Sequence, residues 1–217
     1  GYVPGSLGND LEAQMFYKLR KSSMWPIYDK CMDYSEDDIF DVIEFIFDHI
    51  SKPIEGNYHS YSGCGWHYHT FDKKAGQDEF RSEINLILKD YSTGFELSTN
   101  GEIYELVENG LENLIKAPLL PYDQTNVEGR VELAINKFRR RQSTIDERRD
   151  AIRDLADVLE FLRPNVKQVL SSKDESDLFN IANNFGIRHH NPDQKNNYDK
   201  AIWFSWMFYY YLNVSSG

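Results

Sequence analysis

The chain has 217 residues, 41% hydrophobic and 27% charged, with 14 Tyr, 13 Phe and 4 Trp. That length suits one large domain or two small ones, and the aromatic content excludes a disordered tail. The net charge of −11 argues against a general nucleic-acid coat.

The excess acid lies in one half. Residues 1–120 carry 10 Lys+Arg against 21 Asp+Glu, whereas residues 121–217 carry 14 of each. This asymmetry predicts two units with different surfaces. The division is expected within Ala117–Gln124, where Pro118 and Pro121 interrupt any helix. No apolar run reaches the ~18 residues of a membrane span, and Ala201–Leu212 is the best and too short. No leader of basic then apolar residues is legible at the start. Cys31 and Cys64 are too few for a disulfide framework, so a cytoplasmic chain with free thiols is expected.

In chain order, Leu11, Met15, Phe16 and Leu19 predict an amphipathic helix, and Pro26 marks a break. Ser35 followed by Glu36, Asp37 and Asp38 predicts a helix start, with acid at the positive dipole end. Ile39, Val42, Ile43, Ile46 and Phe47 continue that helix, which Pro53 closes. Residues 56–79 are polar and rich in Gly and Ser and read as loop. A helix follows within Phe80–Tyr91. Phe95 and Leu97 alternate with polar residues, and Asn100-Gly101 suits a two-residue turn returning at Ile103. Glu102–Ile115 also fits a helical period, so hairpin and helix both remain open here.

The second half reads as helical throughout. Val127, Val131, Ala134, Ile135 and Phe138 share one face. Thr144-Ile-Asp-Glu147 is a capping box ahead of Ile152, Leu155, Ala156, Leu159 and Leu162. Ser172-Lys-Asp-Glu175 reads as a second box, ahead of Leu178, Ile181, Ala182 and Phe185, with Gly186 placed for a left-handed cap. The last helix, about Tyr198 to Asn213, is apolar nearly all round and is expected to be the most buried. The fold class is therefore mainly α, a helical bundle over 121–217 plus a smaller α+β unit over 1–120.

Three clusters offer chemistry. In Ile187-Arg188-His189-His190-Asn191, a guanidinium and two imidazoles follow a helix end. Histidine exchanges protons near neutral pH, and arginine can fork onto a phosphate. Together they could cleave RNA, a base freeing the 2′-oxygen to attack the adjacent phosphate. The plainer alternative is a helix cap with one histidine bonded across the loop. Arg139, Arg140, Arg141, Arg148 and Arg149, with Arg153 beyond, form a cationic stretch at a helix junction. It reads as an RNA-backbone track, a dock for the acidic half, or a solvated face. Cys64, His67 and His69, with His59 upstream, contain zinc-ligand types but lack the spacing of a structural zinc site. No metal or cofactor is predicted.

The Ile187–Asn191 motif and the run Ile202-Trp-Phe-Ser-Trp-Met-Phe-Tyr-Tyr-Tyr-Leu212 resemble a HEPN domain of the bacterial abortive-infection (AbiJ-like) type, and residues 1–120 resemble the N-terminal domain accompanying it. The resemblance implies an α-helical bundle, a homodimer with a composite site, and a metal-independent endoribonuclease in a toxin or phage-defence system. It implies catalytic roles for Arg188 and for His189 or His190. The family's motif carries a further His several residues after the Arg, and here positions 193–195 are Asp, Gln and Lys. The alternative is a non-catalytic module for dimerisation and partner binding, with the acidic unit contacting a protein.

Overall fold

The structure is a computed structural model describing residues 7–8, 10–107, 111, 113, 115, 123–187 and 197–216. The chain divides into two compact units, Gly1–Tyr104 and Glu105–Gly217. The proline-bearing segment expected at the division lies mostly outside the described residues. Among the described residues the fold is mainly helical, with two small antiparallel hairpins. No described helix is long and apolar enough to cross a membrane.

In the first unit, α1 (Leu11–Leu19), α2 (Ile27–Lys30) and α3 (Glu36–His49) precede hairpin β1 (Lys52–His59) and β2 (Gly65–Asp72). Helix α4 (Lys73–Leu88) and hairpin β3 (Phe95–Leu97) and β4 (Ile103–Glu105) follow, the last residue of β4, Glu105, belonging to the second unit. Ser35 starts α3 as predicted: its Oγ accepts from the Asp38 amide at 3.2 Å, and the Asp38 carboxylate accepts from the Ser35 amide at 2.9 Å. Asp38 also pairs with Lys21. That ammonium, and then the Ser35 donors, lower its pKa to about 2.

Helix α3 serves two cores. Phe40, Ile43 and Phe47 pack with Leu88, Phe95, Leu97 and Ile103, while Val42 and Phe45 pack with Met15 and Met24. Ile39, expected in the stripe, is 42% exposed because these two faces leave it outside both cores.

The hairpin reading of 95–103 holds, although Gly101 and not Asn100 takes the positive φ of the turn, and the helix reading of Glu102–Ile115 fails over 102–107, where Ile103–Glu105 is a strand. Gly101 sits in the turn at φ +88, and a Cβ there would strike the Phe47 ring. Helix side chains clamp the short strands. Asn85 donates to the Leu97 carbonyl at 3.0 Å and accepts from its amide at 2.7 Å, and Glu44 accepts from the Ile103 amide at 2.8 Å.

The loop expected over 56–79 is instead hairpin β1–β2 and the start of α4. Both strands face solvent along most of their length, so no inward alternation marks them in the sequence. Cross-strand aromatics define the pairing instead. Tyr58 opposes Trp66 with ring centres 5.8 Å apart, and Trp66 stacks on Tyr68. A bulge near Glu55 lets its amide donate to Thr70 Oγ1 at 3.0 Å.

The second unit comprises α5 (Gly129–Arg139), α6 (Ile145–Phe161), α7 (Arg163–Val169), α8 (Ser172–Asn184) and α9 (Lys200–Ser216). The Thr144 box at the start of α6 forms as predicted: the Thr144 amide donates to Glu147 at 2.8 Å and the Glu147 amide to Thr144 Oγ1 at 3.2 Å. Helix α8 begins one residue earlier than predicted, with Ser171 capping the Asp174 amide at 3.2 Å. Two adjacent serines can cap equally well by type, and the local chain path selects one.

Helix α6 is the hub, packing on α5, α7, α8 and α9. It buries Ala151, Ile152, Leu155, Ala156, Val158 and Leu159. Helix α9 was expected to be the most buried, and it is not. It buries Phe204, Met207, Phe208, Tyr211 and Leu212 but leaves Ile202 at 67% and Trp206 at 47% exposure. Its neighbours bury the 204/207/208/211/212 face and partly cover Tyr209, Tyr210 and Val214. Phe208 stacks on Phe138 with ring centres 3.9 Å apart, and the Tyr211 hydroxyl donates to the Leu178 carbonyl at 3.2 Å.

Candidate functional site

Arg188, His189 and His190 lie outside the described residues, but the chain on either side of them is described. On the near side, α8 ends in the left-handed cap predicted at Gly186, with φ +69. The Ile187 amide donates back to the Ala182 carbonyl at 3.0 Å, and the Phe185 amide to Ile181 at 3.2 Å. Ile187 is fully buried, so the chain is pinned immediately ahead of Arg188. From α6, Arg153 Nε donates to the Ile187 carbonyl at 2.9 Å and its Nη1 pairs with Asp150 at 3.0 Å.

On the far side, the Tyr198 hydroxyl donates to the Phe185 carbonyl at 3.0 Å. Its ring packs edge-on against Phe185, which in turn stacks on Trp203. Burial raises the Tyr198 pKa, and the nearby positive charge of Arg149 opposes that shift. Arg149 pairs with Asp146 at 3.4 Å. Residues 187 and 198 are thus both held on the bundle beside two α6 arginines, one turn apart on one helix face.

The remaining arginines differ in exposure. Arg139 is buried at 8% exposure, and its Nη2 donates to the Glu105 carbonyl at 3.2 Å. Arg148 lies over the Phe138 ring and meets the Glu105 carboxylate at 3.4 Å. Arg140 is exposed at the end of α5, and Arg141 is half-buried. The expected open track of five arginines therefore narrows, because Glu105 draws Arg139 and Arg148 into the unit. The buried Nε atoms of Arg148 and Arg149 have no hydrogen-bond partner among the described residues.

Two features escaped the sequence reading. In the sequence Tyr198 marks only a helix start, because nothing in its neighbourhood signals the carbonyl it bonds. By its spacing the aromatic run Trp203–Tyr211 of α9 reads as core and dimer seam, and part of it is exposed. There Trp206 stacks on Tyr210 with ring centres 5.3 Å apart. With Leu111, Ile202 and Tyr209 they line an open groove of about 740 Å³. Among the described residues, no group of three or more His, Cys, Asp or Glu side chains could hold a metal ion.

Comparison of the chain with protein-family models, with characterised proteins and with solved structures finds no match. The geometry alone defines the class: a mainly helical two-unit protein whose helical bundle holds Ile187 and Tyr198 beside arginines of its central helix.

Proposed function

We propose that the second unit is a HEPN-like bundle and that the chain is a cytoplasmic bacterial defence or toxin protein acting as a metal-independent endoribonuclease. In this reading Arg188 holds the scissile phosphate. His189 or His190 takes the 2′-hydroxyl proton, the 2′-oxygen attacks phosphorus, and the 5′-oxygen leaves with a proton returned by imidazole. The observation that supports the reading is the fixing of the described residues on either side of Arg188 and the histidines, Ile187 bonded to Arg153 and Tyr198 beside Arg149. Acid–base chemistry on a phosphodiester needs groups held in fixed relation, with cationic side chains nearby. The partnerless Nε of Arg149 offers a further buried donor at that place.

The test is cleavage of a labelled single-stranded RNA by the full chain with a chelator present. Wild type is expected to cut, and Arg188→Ala and His190→Ala to lose about 100-fold or more in rate. Equal cutting by all three proteins, or none by wild type, defeats the reading.

A second reading, a non-catalytic module working through dimerisation or a protein partner, draws on the open aromatic side of α9. Contiguous exposed apolar surface of this kind marks interaction sites. Sedimentation velocity discriminates: a dimer in wild type that becomes monomeric in Trp206→Ser, with no RNA cleavage, favours it.

A further inference from the structure

The first hairpin brings together a thiol and two imidazoles that the RNA reading leaves unused. Cys64 is exposed on the turn, its amide donating to the Tyr61 carbonyl at 3.0 Å. Its Sγ lies 2.7 Å from His67 Nε2 on β2. Strand pairing positions that imidazole, with His67 opposite Asn57 and His59 opposite Gly65. The His67 ring also stacks on His59, ring centres 4.5 Å apart and planes at 29°. The other cysteine supplies an internal control. Cys31 is also exposed, but its Sγ donates to the Tyr28 carbonyl at 3.8 Å. A carbonyl accepts a hydrogen bond without taking the proton, whereas a neutral imidazole nitrogen takes it.

We propose that Cys64 is a thiol–disulfide exchange site, activated by His67, that takes up a small-molecule disulfide as a mixed disulfide. The thiolate is the attacking form, and His67 Nε2 receives the proton as Cys64 Sγ attacks one sulfur of the incoming disulfide. The Sγ–S bond forms as the S–S bond breaks. The departing thiolate takes the proton from the imidazolium and leaves as a free thiol. One disulfide and one protein thiol become one mixed disulfide and one small thiol, with no other oxidant consumed. Both partners stand on an exposed ribbon, so a small disulfide reaches the sulfur without moving a core side chain.

The experiment incubates the full chain with oxidised glutathione and follows the masses of the Cys31 and Cys64 peptides with time. Cys64 is expected to gain glutathione at least about tenfold faster than Cys31 in the same molecules. His67→Gln is expected to bring Cys64 down to the Cys31 rate while Cys31 keeps its own. Equal rates at the two cysteines of wild type, a comparison needing no variant, overturn the proposal. So does a Cys64 rate unchanged by His67→Gln.

Discussion

Helices α6 and α9 are each 17 residues long, and they reverse what their compositions suggest. Helix α6 carries Arg148, Arg149, Arg153 and six acidic residues, yet it is the hub of the second unit. Helix α9 has one charged residue, Lys200, and an almost unbroken apolar run, yet one side stands open. Burial follows the arrangement of apolar residues around the axis and the neighbours available to cover them, and average hydropathy is a poor guide. In α6 the apolar residues recur on the sides that meet neighbours, and the charges left over pair with one another or anchor adjacent chain. In α9 apolar residues surround the axis, so packing could have chosen any side, and what was left over is aromatic.

The largest expected effect probes the hub. Leu155 is fully buried, so Leu155→Ala is expected to cost about 3 kcal/mol in chemical denaturation, from lost transfer energy and the cavity left behind. An outcome within ~0.5 kcal/mol, the range of ordinary surface changes, would break the contrast. Next comes the anchor. Arg153→Ala removes the donor to the Ile187 carbonyl and is expected to cost roughly 1–2 kcal/mol, with faster hydrogen exchange at the Ile187 amide. Unchanged exchange there would separate Arg153 from the 188–196 segment.

Acid provides a control outside the bundle. The Asp38 pKa is lowered from 3.8 to about 2, so its stabilisation is fully present above the unfolded value and disappears as pH falls through about 2. Asp38→Asn is expected to cost about 1 kcal/mol at neutral pH, allowing for the partial exposure of the Lys21 pair. The variant's stability should then fall less steeply than wild type's between those two pKa values, and parallel acid curves would exclude Asp38 as the source. The smallest effect belongs to the open side of α9. Ile202→Ala, at 67% exposure, is expected to change the stability of the isolated chain by no more than ~0.5 kcal/mol. A larger loss would mean that this side is covered in solution.

Much of the fold was legible because local chemistry specifies it. Ser35, Thr144 and Gly186 act through bonds to residues within a few positions, and all three behave as their types dictate. Asn100-Gly101 was nearly as informative, and the pairing of Ile103–Glu105 as a strand removed the helical alternative there. Hairpin β1–β2 was invisible because strands exposed on both sides carry no inward period, and its Tyr58–Trp66 pair is adjacent only across the ribbon. The same distinction applies to the site. The cationic and imidazole residues could be named from the chain alone, but not which arginines Glu105 would claim, nor that Arg153 would grip the residue ahead of Arg188.

By itself the sequence determined the starts of α3 and α6 and the end of α8, the uneven charge of the two halves, and the residue types available for chemistry, since each depends on neighbours a few positions apart or on simple sums. Only the tertiary structure decided which side of α9 faces out, which arginines are spent on internal contacts, and that Cys64 meets His67 on a ribbon. Those outcomes depend on contacts between distant segments, where packing chooses among surfaces that sequence periodicity leaves equivalent.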